Sequence, residues 1–304
     1  MAERPPLTPV RPPRGPSPEQ IRRRRIAALA AVVVALLLVV VAVVVALPHV
    51  HNKAAAPVAT QPPPPRPFKI VFPEGFTRAQ MADRVGVVAK IARGKSHKSV
   101  ALNAKQYVAT TRRAALPCFA RHRQANPEGF LFPATYDFLA TTTSRQLAQD
   151  QLKAFCENWS KVNLSYAKKK NLTPYDVLII ASMVEKETLA PDERPLVAAV
   201  IYNRLHERMP LGIDATLRYG LHIPPTESIH QSQLESNSPY NSRKLPGLPP
   251  TPIANPGLAS IQAAAHPAQV NYLYFVRKPD KQHHFFTASA SAFAAYECAH
   301  GYGC

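Results

Sequence analysis

With 304 residues, a net charge of +18 and four cysteines, none in a Cys-x-x-Cys pair, the chain gives no support to a zinc ribbon or a thioredoxin-type redox site. Its basic balance calls for an anionic partner. The N-terminal segments decide which kind.

Residues 1–25 hold seven Arg against Glu3 and Glu19, and residues 5–18 are Pro-rich, so a disordered basic tail is expected. Residues 26–47 are uncharged and dominated by Ala, Val and Leu. At about 1.5 Å per residue they cross the roughly 30 Å hydrocarbon layer with little to spare. A cleaved signal peptide is the competing reading; Leu47-Pro-His49 makes a poor cleavage site, whereas Ala54-Ala-Ala-Pro57 is a better one. The Arg excess before the span puts the tail in the cytoplasm and the remainder outside, a single-pass membrane protein. That location weakens a nucleic-acid reading and suits anionic lipid head groups or wall polymers, with a plain solvated charged face as the alternative. Residues 48–67 are rich in Pro and Ala and read as a spacer of up to roughly 60 Å in polyproline II.

The exposed part is expected to be α+β. Phe68-Lys-Ile-Val-Phe72 alternates as a strand, and Thr77-Arg-Ala-Gln80 is a capping box opening a helix to about residue 85. Residues 88–115 are basic with few large apolar groups; residues 128–138 suggest a strand with a loop, and 146–162 an amphipathic helix. Thr173-Pro174 and Asp176 start a helix running to about 188, and 193–208 form another with Val197, Val200, Ile201 and Leu205 on one stripe. The Pro-, Ser- and Asn-rich segment 213–257 lacks periodicity, which in an ordered domain marks a functional loop. Residues 270–276 with 284–286 read as a hairpin, and 289–299 as a last helix. Outside the cytoplasm an even cysteine count favours disulfides; Cys118 with Cys156 and Cys298 with Cys304 is the most local of three pairings.

The chemistry centres on Ile180-Ile-Ala-Ser-Met-Val-Glu-Lys-Glu-Thr188, an apolar helix ending in carboxylates. A carboxyl surrounded by apolar groups resists ionising and can serve as a general acid, which glycosidic cleavage requires. Glu185 and Glu187 lie on different faces; Glu187 follows Ile180, Met183 and Val184, while Glu185 follows the smaller Leu178, Ala181 and Ser182 strip, so desolvation favours Glu187 without excluding Glu185. Rival motifs fail: Gly94-Lys-Ser96 lacks the P-loop's first glycine, and Ser165-Tyr-Ala-Lys168 has no Lys-Thr-Gly partner. Cys298-Ala-His300 with Cys304 lacks a fourth metal ligand, and His283-His284 reads as a polar strand edge able to line a cleft.

The segment Ala181-Ser-Met-Val-Glu-Lys-Glu-Thr188 resembles the signature of the YceG-like (MltG) family of endolytic murein transglycosylases. The likeness continues through Glu193-Arg-Pro195, Val200-Ile-Tyr-Asn-Arg-Leu205, Asp214-x-Thr216, Tyr219-Gly220, Ser238-Pro-Tyr-Asn241, Pro252-Ile-Ala-Asn-Pro-Gly257 and Tyr272-Leu-Tyr-Phe-Val276, with Glu128-Gly-x-Leu-Phe-Pro133 upstream. The chain departs from it at Asp214-Ala-Thr216 and Pro133-Ala-Thr-Tyr136, where the family has Asp-Pro-Thr and Pro-Asp-Thr-Tyr. The resemblance implies a LysM-like subdomain at 68–140, a catalytic transglycosylase domain at 141–304, and Glu187, the Glu followed by Thr, as the catalytic acid. It further implies cleavage of the β-1,4 bond from N-acetylmuramic acid to N-acetylglucosamine with a 1,6-anhydro end, glycan strands as substrate, strand-polymerising synthases as partners, and no metal or organic cofactor. Segment 213–257 would then form the cleft, with Asn203, Asp214, Tyr240, Asn241, Asn255 and His284 as candidates for contacting sugar or orienting Glu187. A two-carboxylate hydrolase using Glu187 and Asp214, and a non-catalytic wall-binding scaffold, stay open beside it.

Overall fold

The computed structural model describes residues 18–50, 66–97, 99–112, 116–119 and 127–303. Most of the tail and spacer expected from the sequence, together with Cys304, lies outside them. Residues 1–64 and 65–304 form two separate units.

In the first unit, α1 (Pro18–Val50) covers the expected span, and its apolar side chains through Val45 are not buried in protein. A helix this long and apolar with no protein cover fits a single-pass anchor, and a signal sequence has the same character.

The second unit is α+β. Strand β1 (Phe68–Val71) leads through the capping box at Thr77 and Gln80 into α2 (Arg78–Ser96) and α3 (Ala104–Thr110), and β2 (Thr135–Phe138) returns antiparallel to β1, pairing Phe68 with Phe138. Helix α2 runs eleven residues past its expected end. Its second half buries Ala89 and Ala92, small side chains that leave no strong apolar stripe in the sequence yet let helices approach closely. The chain continues into α4 (Ser144–Trp159) and α5 (Ser165–Lys169). Cys118 and Cys156 form the expected disulfide beside a cluster in which Phe119 packs on Phe130 and Trp159, and Cys298 is also disulfide-bonded.

At the centre lies α6 (Pro174–Glu187), flanked by α7 (Arg194–His206) and by α10 (Leu258–Ala265); between these come α8 (Asp214–Leu221) and α9 (Gln231–Leu234). Every side chain from Val177 to Val184 is buried, so α6 has no solvent face along this stretch. Its start is local chemistry. Pro174 occupies the first position, Thr173 Oγ1 accepts from the Asp176 N–H at 3.2 Å, and Asp176 accepts from the Thr173 N–H at 2.7 Å. Thr173→Ala should cost about 1 kcal/mol in a chemical denaturation midpoint series, and a smaller effect than a few tenths would mean that packing alone holds the helix end.

The antiparallel hairpin of β3 (Tyr274–Arg277) and β4 (His284–Thr287) follows, with Arg277 opposite His284, and α11 (Ala290–Ala299) closes the chain. The hairpin falls in the expected region, with its first strand beginning at Tyr274, four residues later than expected. The segment 213–257 is not wholly irregular, because it contains α8 and α9.

Candidate active site

The C-terminal end of α6 opens into a cavity of about 1200 Å³, larger than the roughly 300–1,000 Å³ typical of small-molecule sites and suited to an extended ligand. Glu187 contributes to its lining, with Asp214 and Ala215 of α8, Arg277 and His284 of the hairpin, and Glu128 from the turn before β2.

Glu187 is partly accessible from the cleft, yet protein surrounds its carboxyl closely. Burial pushes that carboxyl up to about 7, and the negative charge of Asp214 pushes the same way. Arg277, the Ala215 backbone N–H and Lys186 oppose them. The side chain is therefore an acid at neutral pH whose conjugate base already has a donor in place. Asp214 is itself held by Arg243, whose Nε donates to Oδ1 at 2.5 Å.

Glu185 has a different task. Its Oε2 accepts from the Ser260 hydroxyl at 2.7 Å and the Gly257 N–H at 3.1 Å, so it caps α10. The Glu74 carboxylate lies directly over Gly257, where a Cβ would fall 1.8 Å from its oxygen, so any side chain there would have to displace Glu74. Because α6 is buried on all sides up to Val184, the facial argument does not separate the two glutamates. What separates them is what lies beyond each: a helix end for Glu185, open space for Glu187.

A second buried carboxyl reaches the cleft. Glu128 is 3% exposed and accepts from the Arg78 N–H at 2.9 Å, Asn255 Nδ2 at 2.8 Å and the Tyr219 hydroxyl at 3.2 Å. Burial pushes it up to about 7 against those donors. Gly129 makes the turn possible: its φ is +89°, and a Cβ would sit 2.7 Å from Pro252. Glu128 stood in the upstream motif, and nothing local marked it as a cleft residue.

Of the residues expected from sequence, the structure brings Glu187, Asp214 and His284 to one cavity. The other four do not line it. Asn203 Nδ2 donates to the Val270 and Tyr272 carbonyls at 2.9 and 2.8 Å. Asn241, fully buried, donates to the carbonyls of Leu234 and Ser236. Asn255, also fully buried, donates to Phe76 O and Glu128 and accepts from the Leu131 N–H. Tyr240 shares a hydrogen bond with Thr251 and packs its ring 5.3 Å from that of Tyr219. Turn-rich backbone folded into an interior needs polar partners, and these side chains supply them.

The sequence profile of the YceG-like family matches residues 48–297. The chain belongs to the YceG-like family. This YceG-like chain is 40% identical over 156 residues to a Bacillus subtilis (strain 168) protein named endolytic murein transglycosylase, covering 50% of this chain and 42% of that one. It is 33% identical over 234 residues to the Streptococcus pneumoniae (strain ATCC BAA-255 / R6) protein of the same name, covering 71% and 41%. The chain thus spans about two fifths of the length of these curated relatives. A crystal structure of a yceG-like protein from Listeria monocytogenes has a TM-score of 0.63 at 28% identity, covering 76% of each chain.

Proposed function

We propose that this YceG-like chain is a lytic transglycosylase that cuts peptidoglycan strands internally, with Glu187 as its acid. The observation that carries the reading is a carboxyl held protonated to about 7 on the wall of a cleft large enough for a sugar chain. Glu187 protonates the leaving glycosidic oxygen. The C6 hydroxyl oxygen of the same muramic acid attacks C1, its hydrogen passes to a base, and a 1,6-anhydro end forms without water. The Glu187 carboxylate left by the first transfer is one such base. The nucleophile belongs to the substrate and is already near its target, so one acid suffices where a hydrolase needs a second carboxylate about 5–9 Å away. Asp214, the candidate for that second role, is engaged by Arg243. In this reading its charge helps Glu187 keep its proton.

Two antiparallel strands, β1 and β2, with α2 and α3 between them among the described residues support a LysM-like reading of residues 68–140. Glu128 on the cleft wall gives that part a share in the site. The Arg excess of residues 1–25, ahead of the apolar stretch of α1, favours an N-terminus in the cytoplasm and a catalytic unit outside, anchored near nascent strands and the synthases that make them.

Digestion of purified glycan strands by the full chain should release products with 1,6-anhydro ends, 18 Da (one water) lighter in mass spectra than hydrolysis products. Reducing ends from the wild type overturn the transglycosylase reading in favour of a hydrolase, and no cleavage at all supports a binding scaffold.

A further inference from the structure

A histidine on the cleft wall, backed by a buried carboxylate, is built for moving a proton. His284 begins β4 with its side chain 2% exposed, between Phe275, whose ring meets it edge-on at 5.4 Å, and Phe286 at 6.0 Å. Glu193, in the turn before α7 and also buried, grips it twice. One carboxylate oxygen accepts from the His284 backbone N–H at 2.8 Å, and the other accepts from ring Nδ1–H at 2.6 Å. A carboxylate can only accept, so Nδ1 carries the hydrogen, and in the neutral ring Nε2 is left as an acceptor. Nε2 has no hydrogen-bond partner among the described residues. It is not enclosed either, because Ser236 Oγ alone among their fully enclosed side-chain polar atoms lacks a partner. His284 lines the same cavity as Glu187. Arg277 ties the two together: it pairs with His284 across the hairpin, and its charge acts on Glu187.

A buried carboxylate that fixes the tautomer of an imidazole whose other nitrogen faces substrate is the arrangement that activates a hydroxyl nucleophile. We propose that His284 takes the hydrogen of the attacking substrate hydroxyl, and that Glu193 is the positioning residue holding its ring for that transfer. The C6 O–H proton passes to Nε2 as the C6 oxygen bonds to C1. The C1–oxygen bond to the departing sugar breaks, and the Glu187 proton goes to that oxygen. The imidazolium is balanced by Glu193 until Nε2 releases its proton to water, and exchange with water returns a proton to Glu187. The two jobs are divided between two groups instead of falling to one carboxyl in sequence. This rests on the transglycosylase reading and goes beyond it.

The test uses the full chain on purified glycan strands, with kcat and KM measured separately. His284→Ala should lower kcat by about a hundredfold to a thousandfold with KM changed less than about threefold, and added imidazole should restore at least tenfold of the loss. Glu193→Gln presents an amide donor to Nδ1, which moves the ring hydrogen to Nε2. It should lower kcat by at least about tenfold and replace the Nδ1–H signature of His284 in nitrogen-15 spectra with that of the other tautomer. His284→Gln guards against a folding failure in the alanine variant: with a thermal midpoint near the wild type's, its kcat should still be lower by at least about a hundredfold. The proposal is overturned by a kcat within about threefold of wild type in His284→Gln, or by an alanine variant that folds, has lost activity and does not respond to imidazole. Wild-type products with reducing ends overturn the transglycosylase reading itself; anhydro products with an indifferent His284 overturn this inference alone.

Discussion

Glu187→Gln should lower strand cleavage by about a thousandfold while leaving the fold in place, measured as release of anhydro-ended fragments from purified strands. The amide has nearly the shape of the carboxyl and can still accept from the Ala215 N–H, but it carries no proton to give. The wild-type rate should also depend on pH with a sign set by burial. The carboxyl titrates at about 7, and the acid form is the one that works. The rate therefore falls through the range above 7, by about tenfold for each further pH unit. Stability moves in the same direction. A carboxyl raised above its unfolded value binds protons in the folded state that the unfolded chain releases, so the fold weakens as pH rises toward and through 7. Glu187→Gln removes that penalty, and the variant should be as stable as wild type at pH 5 and more stable at pH 8. A variant that is inactive because it is unfolded, or one that retains activity, contradicts the assignment.

What the sequence revealed divides along the line between local and non-local chemistry. The start of α6 was legible because Thr173, Pro174 and Asp176 satisfy one another within four residues. The hairpin was legible from two runs of aromatic and β-branched residues. Helix α10 was not legible. It is rich in alanine, no side chain of its own caps it, and the carboxylate that does so belongs to Glu185, 72 residues before Gly257. The same contact explains why two nearby glutamates have unlike roles that periodicity does not resolve. Segment 213–257 brings Asp214 to the cavity wall, whereas Asn241 spends its donors on carbonyls that a folded-in loop would otherwise leave bare, a non-local demand that composition does not show. Arg277 was invisible as a cleft residue, since only the register placing it across from His284 brings it there.

Glu128→Ala should have the largest effect on stability, about 3–5 kcal/mol in denaturant unfolding, although the residue lies far from Glu187 in sequence. Three donors converge on its carboxyl from separate elements: the Arg78 N–H at the start of α2, Asn255 from the loop before α10, and Tyr219 of α8. Alanine leaves all three facing a hole. The first is among the orphan amides of a helix N-terminus, and Asn255 in turn holds Leu131 and Phe76, so the damage spreads to the wall of the cleft. Glu128→Gln is milder and tests the electrostatics. Burial raises the Glu128 carboxyl to about 7, and the gap from an ordinary carboxyl is worth about 3 kcal/mol. The sign follows as for Glu187. The folded state holds the proton between the unfolded value and 7, so this contribution is full in acid and lost as pH rises through 7. In a Glu187→Gln background, where one raised carboxyl is silent and burial still raises Glu128 and Glu74, stability should still fall between pH 5 and 8. Adding Glu128→Gln should reduce that slope, leaving the part that Glu74 contributes. An unchanged slope would mean that the Arg78, Asn255 and Tyr219 donors outweigh burial and keep Glu128 ionised, in which case it joins the cleft walls as a charged clamp and not as a neutral one.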